Sequence, residues 1–448
     1  MHITKYQTRT DHFLVSDSFT PISGKMGGAL TLTLAEKPLA APFAGFGVAL
    51  TGSSCDRLRA MQPDARKDFL QDIYGAKGLG LSVGRLTIGS SDYSKELYSY
   101  DDVPYDTSLA HFSIARDEEY ILPMIREVLQ IRPDLQLFAS PWSPPGWMKT
   151  GGSLCGGYMR AEYLDVYADY IVKFVQAYRA AGVDVKALTP QNEPETQQNG
   201  KMPTCIWHPD LEAQFILKLR EKLDAASLNT KIWMYDHCFV GIERVLWCLR
   251  TYPALIQACD GVAWHYYEGG VEMTAHLAAE YPQLASHFTE GGPRLYDHYA
   301  TDWCKWGSIM AKALAAGCRT FTGWNLLLDE SGCPNIGPFF CGGLATLHSQ
   351  TKELSYSGQY RAFAHFSRFI KPGAKIYPVT IADDVPPMFL YPNNAKPIAA
   401  VAAQNPDGSF VLQLVNPNSD KRQVQYERDG RWYYVELLPD SLVTVVQA

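Results

Sequence analysis

The chain has no run of basic residues, no apolar stretch of membrane-spanning length, no Cys-x-x-Cys and no His-Glu-x-x-His. Each absence removes a class of function. Nucleic acids and anionic membranes are bound through clustered Lys and Arg, and a formal net charge of -7 argues against either as a partner. Without an apolar run of about 20 residues no membrane span is expected, and without the usual ligand spacings no metal is expected. There is also no Asn-x-Ser/Thr acceptor, and Met1-His2-Ile3-Thr4-Lys5-Tyr6 carries no basic segment followed by an apolar one. The ten cysteines are scattered through a chain too large to need disulfide staples, so they read as reduced thiols and a cytoplasmic location is expected. No cofactor is expected.

What remains is an ordinary globular composition, 46% hydrophobic and 19% charged, long enough at 448 residues for a large core and more than one domain. The 26 Tyr and 10 Trp suit stacking on sugar faces, and equally suit a packed interior. Leu30-Thr31-Leu32-Thr33-Leu34 alternates as a half-buried strand should. From Phe43 short apolar runs alternate with longer amphipathic segments, the pattern of repeated β-α units. The runs are 43–51, 81–88, 135–142, 185–189, 231–236, 261–267, 287–290 and 320–327. Between them, 162–181 predicts a helix with Tyr163, Val166, Tyr170, Phe174 and Tyr178 on its buried face and Gly182 as its stop. Another starts at Pro209, with Phe215, Leu219 and Leu223 inward. After Gly373 only strands separated by Asn-Pro, Asp-Gly and Pro-Asp turns remain. The first forty residues are too few for a sheet of their own and are expected to join that C-terminal one.

Two strand-like runs end in a glutamate. Leu188-Thr189-Pro190-Gln191-Asn192-Glu193-Pro194 is stopped by proline, and Ser286-His287-Phe288-Thr289-Glu290-Gly291-Gly292 is released by two glycines. Strand ends are where barrel enzymes hold reactive groups. Either glutamate alone reads equally as an exposed strand-end residue; the two together suggest acid/base and nucleophilic work on a glycosidic bond.

The chain resembles glycoside hydrolase family 30. The resemblance rests on blocks in family order: Gly45-Phe46-Gly47, Arg85 with Ser91-Asp92-Tyr93-Ser94, the long run from Ser140-Pro141-Trp142 to Lys149-Thr150, Gln191-Asn192-Glu193-Pro194, His265-Tyr266-Tyr267, Thr289-Glu290-Gly291 and Gly323-Trp324-Asn325-Leu326. It implies an α/β fold, a (β/α)8 TIM barrel over 41–370 with an attached β-sandwich formed by both chain ends, 1–40 and 371–448. It implies Glu193 as general acid/base and Glu290 as nucleophile of a retaining, glucosylceramidase-like β-glycosidase acting on β-glucosides, with a small glycoside or oligosaccharide as substrate and glucosylceramide as one possibility among several. Asp92, Trp142, Asn192, Tyr267 and Trp324 match substrate-binding positions, Asn192 the one that holds the 2-hydroxyl. Arg85 resembles a buried arginine beside the nucleophile, and His265 a supporting residue beneath the site.

The family's usual Gly-Phe-Gly-Gly-Ala-(Phe/Met)-Thr-Asp becomes Gly45-Phe46-Gly47-Val48-Ala49-Leu50-Thr51-Gly52, so the loop after the first strand has lost its acid. The stretches 196–207 and 331–343, expected to border the leaving group, depart from the glucosylceramidase pattern. A β-xylosidase or β-1,6-glucanase of the same family, or a catalytically silent carbohydrate-binding protein, are the alternatives.

Overall fold

The computed structural model describes residues 3–382 and 396–448. Residues 1–2 and 383–395, parts of the terminal ranges expected from sequence, lie outside the described residues. Eight parallel strands close a barrel: Gly45–Ala49, Val83–Ile88, Gln136–Pro141, Val185–Leu188, Lys231–Cys238, Gly261–His265, Ala285–Glu290 and Cys318–Asn325, the last pairing with the first. All eight coincide with the runs read from sequence, most of them trimmed at one or both ends. Thr51, for example, is no longer strand: it caps the next helix, its side chain accepting from the Ser54 N–H.

The helix expected over 162–181 is a 3-10 turn at Ala161–Tyr163 followed by an α-helix at Leu164–Ala180. Tyr170, Phe174 and Tyr178 are buried as expected, but Tyr163 and Val166 are only half-buried, and Leu164, Tyr167 and Ile171 fill the inner face. The reason is that this helix packs on a neighbour as well as on the barrel: Tyr167 stacks on Phe215 of the helix Pro209–Ala225 at 5.0 Å. Gly182, at φ +85°, ends it in a Schellman arrangement, with the N–H of Val183 reaching the Tyr178 carbonyl and that of Gly182 the Arg179 carbonyl.

The barrel interior is layered. Val83, Phe138, Ala187, Trp233 and Ala263 form an apolar floor. Two residues further along their strands, on the same face, stand Arg85, Ser140, Thr189 and His265, and Thr289 follows His287 in the same way. This second layer is polar and fully buried. The fifth strand reaches it differently. Its register slips between Tyr235 and His237, and Tyr235 and Asp236 both adopt left-handed backbone, at φ +77° and +65°. The bulge turns Asp236, not Tyr235, into the barrel. Similar slips near the ends of the seventh and eighth strands involve Thr289 and Trp324.

Both chain ends build one sheet of nine strands, in the order Arg431–Leu437, Arg422–Arg428, Leu30–Leu34, Lys375–Ile381, Ala399–Gln404, Phe410–Asn416, Ser441–Gln447, Ile3–Arg9 and His12–Ser18. Lys375–Ile381 belongs to two layers: its first half pairs with Ala399–Gln404 and its second with Leu30–Leu34. Leu32, Tyr426, Val435, Leu412, Leu414 and Val443 meet between the layers as the sandwich core. The opposite face of one layer rests on barrel helices, where His365 of the helix Gly358–Phe366 binds Thr444 and Thr8 hydroxyls, both at 2.7 Å.

Candidate active site

Above the polar layer, at the C-terminal end of the barrel strands, lies a cavity of about 610 Å³. Asp92, Trp142, Asn192, Glu193, Tyr267, Glu290 and Trp324 all line it. Arg85 and His265 lie beneath, fully buried. The structure thus brings together every site residue expected from sequence.

Glu290 closes the seventh strand, and each of its oxygens has a donor. Arg85 Nη1 bonds Oε2, and the Tyr267 hydroxyl donates to Oε1 at 2.9 Å. The glycines that follow have a packing reason: a Cβ on Gly292 would lie 2.8 Å from the Trp324 Cβ. Glu193 is not at a strand end as the sequence suggested. Its strand stops at Leu188, and the chain then arches over the barrel mouth. The Asn192 N–H donates to Pro141 O at 2.8 Å and the Glu193 N–H to Asp236 O at 3.0 Å, with Glu193 itself left-handed at φ +50°. One oxygen of Glu193, one of Glu290 and a ring nitrogen of His265 lie within 4.8 Å of one another.

Asp236, unassigned from sequence, is the centre of the buried layer. Its Oδ2 accepts from Arg85 Nη2 at 2.9 Å, Ser140 Oγ at 2.8 Å and Thr189 Oγ1 at 2.7 Å. Its Oδ1 accepts from Thr289 Oγ1 at 2.7 Å and His265 Nε2 at 3.1 Å. Burial alone would raise its pKa, but the Arg85 charge and the His265 and Thr289 hydrogen bonds hold it far below the usual carboxylate range. A third acid near a barrel strand's C-terminal end was the available signal.

Both ring nitrogens of His265 face carboxylate oxygens, Nδ1 to Glu193 at 3.2 Å and Nε2 to Asp236 at 3.1 Å. Both can donate only if the ring is protonated. Its pKa agrees: burial opposes the cation, but the Glu290 charge and the bonds to Asp236 and Glu193 raise it to about 9. Burial likewise pushes Glu193 up, while the His265 hydrogen bond and the charges of His265 and Arg85 bring it below the usual glutamate range. The two shifts, Glu193 down and His265 up, both favour the ion pair with the proton on the imidazole.

Glu193, His265 and Glu290 are also a conceivable cation-ligating set. The Arg85 guanidinium on Glu290 and the protonated His265 already supply positive charge there, so these residues fit a metal poorly.

Trp142 and Trp324 stack at 5.2 Å with an 18° tilt, and the Arg85 guanidinium carbon lies 4.8 Å and 5.3 Å from their ring centroids. Beside them Asp92 is 4% exposed, and its Oδ1 meets no donor among the described residues. Burial, reinforced by the charges of Glu290 and Glu193, raises its carboxyl well above the usual range. A buried oxygen left without a partner in a cavity wall is suited to a ligand's hydroxyl. Glu195 and His237, also unassigned from sequence, line the same cavity.

A carboxylate pair poised over the C-terminal mouth of a (β/α)8 barrel places the molecule among the glycosidase barrels. Residues 43–370 match the Glycosyl hydrolase family 30 TIM-barrel domain, and the chain belongs to glycosyl hydrolase family 30. It is 28% identical over 430 residues to putative glucosylceramidase 4 of Caenorhabditis elegans, covering 90% of this chain and 81% of that protein. It is 29% identical over 425 residues to an endo-1,6-beta-D-glucanase of Neurospora crassa, covering 90% of this chain and 84% of that one. The crystal structure of SrfJ from Salmonella typhimurium superposes with a TM-score of 0.91 at 26% identity, covering 100% of this chain and 99% of that one.

Proposed function

We propose that this family 30 glycosidase is a retaining β-glucosidase in which Glu290 is the nucleophile and Glu193 the general acid/base. The observation that carries this is the approach of the two carboxylates, oxygen to oxygen within 4.8 Å. Retaining pairs stand about 5–5.5 Å apart, whereas inverting pairs need about 6.5–9.5 Å to admit a water between them. Arg85 and Tyr267 orient Glu290, each holding one oxygen. In the first step Glu290 forms a bond to the anomeric carbon, the bond to the leaving oxygen breaks, and that oxygen takes a proton from Glu193. The proton is drawn from His265, whose Nδ1 faces Glu193 at 3.2 Å. Once Glu290 is esterified its charge is gone, and with it a cause of His265's raised pKa. Glu193 then takes a proton from the water that attacks the glycosyl-enzyme, and Glu290 leaves.

Asp92 Oδ1 is the acceptor for sugar hydroxyls on the glycone wall, with Trp142 and Trp324 as its apolar boundary. The ten cysteines are all unpaired, which supports a reducing, cytoplasmic setting; thiol titration after denaturation should count ten.

A 2-deoxy-2-fluoro-β-glucoside with a good leaving group tests the mechanism, because the fluorine slows release of the sugar more than its capture. One fluoroglucosyl unit should remain attached, and peptide mapping should place it on Glu290. Attachment elsewhere, or none in a protein that turns over aryl β-glucosides, would overturn the assignment. A panel of chromogenic gluco-, galacto- and xylosides separates the β-xylosidase alternative. Sugar binding without turnover of any of them would favour the silent binding protein.

A further inference from the structure

The cavity has two unlike walls. Trp142, Trp324 and Cys341 belong to one apolar cluster with Phe339 packed against it, and Asp92 is set beside them. Around Glu193 the lining is polar: Glu195, Thr196, Gln198, His237 and Glu268, with Val240 apolar among them. On this side Glu195 and His237 form a built pair. Glu195 Oε2 accepts from the Tyr235 hydroxyl at 2.6 Å and faces His237 Nδ1 at 3.3 Å, while Oε1 stands 4.0 Å from Arg244 Nη1. Burial pushes Glu195 up, but His237, Tyr235 and Arg244 bring it below the usual range, so it is an ionised acceptor. A carboxylate can only accept, so it assigns the His237 proton to Nδ1. Nε2 then has no protein partner among the described residues. The His237 ring stands edge-on to that of His265, 6.2 Å between centroids, and His265 holds Glu193.

We propose that His237, held by Glu195, receives a hydroxyl of the leaving group, and that the leaving group is a sugar or similar polyhydroxyl alcohol rather than a lipid. The proposal rests on Glu193 being the acid, since the group that protonates the leaving oxygen defines the leaving-group side. A lipid chain binds by shedding water against apolar surface, worth about 25 cal/mol per Å². This wall offers only Val240 and the buried Cys238 for that, and covering Glu268, the Oε1 of Glu195 and the Nε2 of His237 with methylenes would leave those atoms unsatisfied. Hydroxyls satisfy all three. Orientation of a histidine through Nδ1 by a carboxylate is a positioning device, and nothing else among the described residues uses the nitrogen it leaves free.

The test compares kcat/KM for β-glucosyl fluoride, for β-linked glucose disaccharides including gentiobiose, and for glucosylceramide in detergent micelles. The variants are His237→Phe, His237→Gln and Glu195→Gln. Wild type should cleave at least one disaccharide in preference to glucosylceramide. His237→Phe should lower the disaccharide value about tenfold more than the fluoride value, the size of one hydrogen bond lost. His237→Gln should recover part of this, and Glu195→Gln should show the same selectivity more weakly. Fluoride, with no leaving-group hydroxyls, reports whether each variant is folded; if His237→Phe fails to fold, the other two decide. Equal losses for fluoride and disaccharide, no disaccharide cleaved, or a preference for glucosylceramide would overturn the proposal while leaving the glycosidase mechanism standing. A wild type inactive on the fluoride would overturn the mechanism and the proposal together.

Discussion

The side-chain oxygen of Asn192 accepts a hydrogen bond from Arg85 Nη2 at 2.8 Å. This fixes which end of the amide is which: the nitrogen can only donate, and the oxygen keeps one lone pair for a further donor. A sugar 2-hydroxyl there can accept from that nitrogen or donate to the oxygen's second lone pair, and it is the donating contact that strengthens as the oxocarbenium-like transition state draws electrons from the ring. Arg85 therefore serves both ends of the site, holding Glu290 with one nitrogen and fixing the orientation of Asn192 with another.

Replacing each glutamate should give opposite anomers with azide. Glu290→Gly should lose several orders of magnitude in turnover, and azide should restore part of it as the α-glucosyl azide, filling the vacated space on the nucleophile's side. For Glu193→Ala, azide should yield the β-azide from an intact glycosyl-enzyme. The product anomers are read by NMR; the reverse pattern would exchange the two roles.

Asp92→Ala should erase sugar discrimination. If its unpartnered oxygen spans the 3- and 4-hydroxyls, an axial 4-hydroxyl leaves this buried acceptor short of a donor, at a cost of about 1–3 kcal/mol. Wild type should then disfavour galactosides by about ten- to a hundredfold in kcat/KM. Xylosides, which keep both hydroxyls, should be accepted. Equal losses for all three sugars in the variant, with their ratios preserved, would make Asp92 a structural residue.

The pH profile should have an alkaline limb set by His265. Its pKa is raised to about 9, so the site holds its proton below that pH and loses it above. In wild type kcat/KM, which reports the free enzyme, should fall near pH 9. In His265→Asn the reserve is gone and the limb should move down by about one pH unit or more. An unmoved limb would place the proton store elsewhere.

A second histidine should control stability rather than activity. Burial, with Arg368 nearby, lowers His365 from 6.5 to about 3. Between those values the unfolded chain binds a proton that the folded one does not, so stability falls as pH drops through 6.5 and levels off near 3. The slope should approach about 1.4 kcal/mol per pH unit. Urea midpoints measured between about pH 5 and pH 7 should show it in wild type and show it diminished in His365→Gln.

The eight barrel strands were legible because each is a short apolar run between turn signals, and two-residue alternation puts Arg85 and His265 on the inward face, whereas Glu290 reaches the site past the register slip at Thr289. Asp236 was not legible for the same reason. Alternation from Trp233 points Tyr235 inward, and only a bulge with two left-handed residues reverses this. Glu193 was found by its motif but misplaced, since an arch held by backbone bonds to Pro141 and Asp236 leaves no periodic trace. In the long Ser-Pro-Trp block much of what is recognisable is scaffold. Lys149, 2% exposed, ties Ser143 Oγ to the Leu154 and Thr204 carbonyls, and Trp147 Nε1 binds Asp101 O at 3.0 Å.

The pairing of Ile3–Arg9 with Ser441–Gln447, and of Leu30–Leu34 with strands on either side from the far end of the chain, imposes an order of events on the ribosome. Ile3–Arg9 can pair at once only with His12–Ser18, and its other edge, like both edges of Leu30–Leu34, must wait for strands from Lys375 onward to emerge, while the barrel encoded between them is free to close. Ser441–Gln447 is interior to its sheet, flanked by Phe410–Asn416 and Ile3–Arg9. Deleting Ser441–Gln447 would therefore separate Ile3–Arg9 and His12–Ser18 from the rest of the sheet, leaving a finished barrel with a split flank and newly exposed strand edges prone to association.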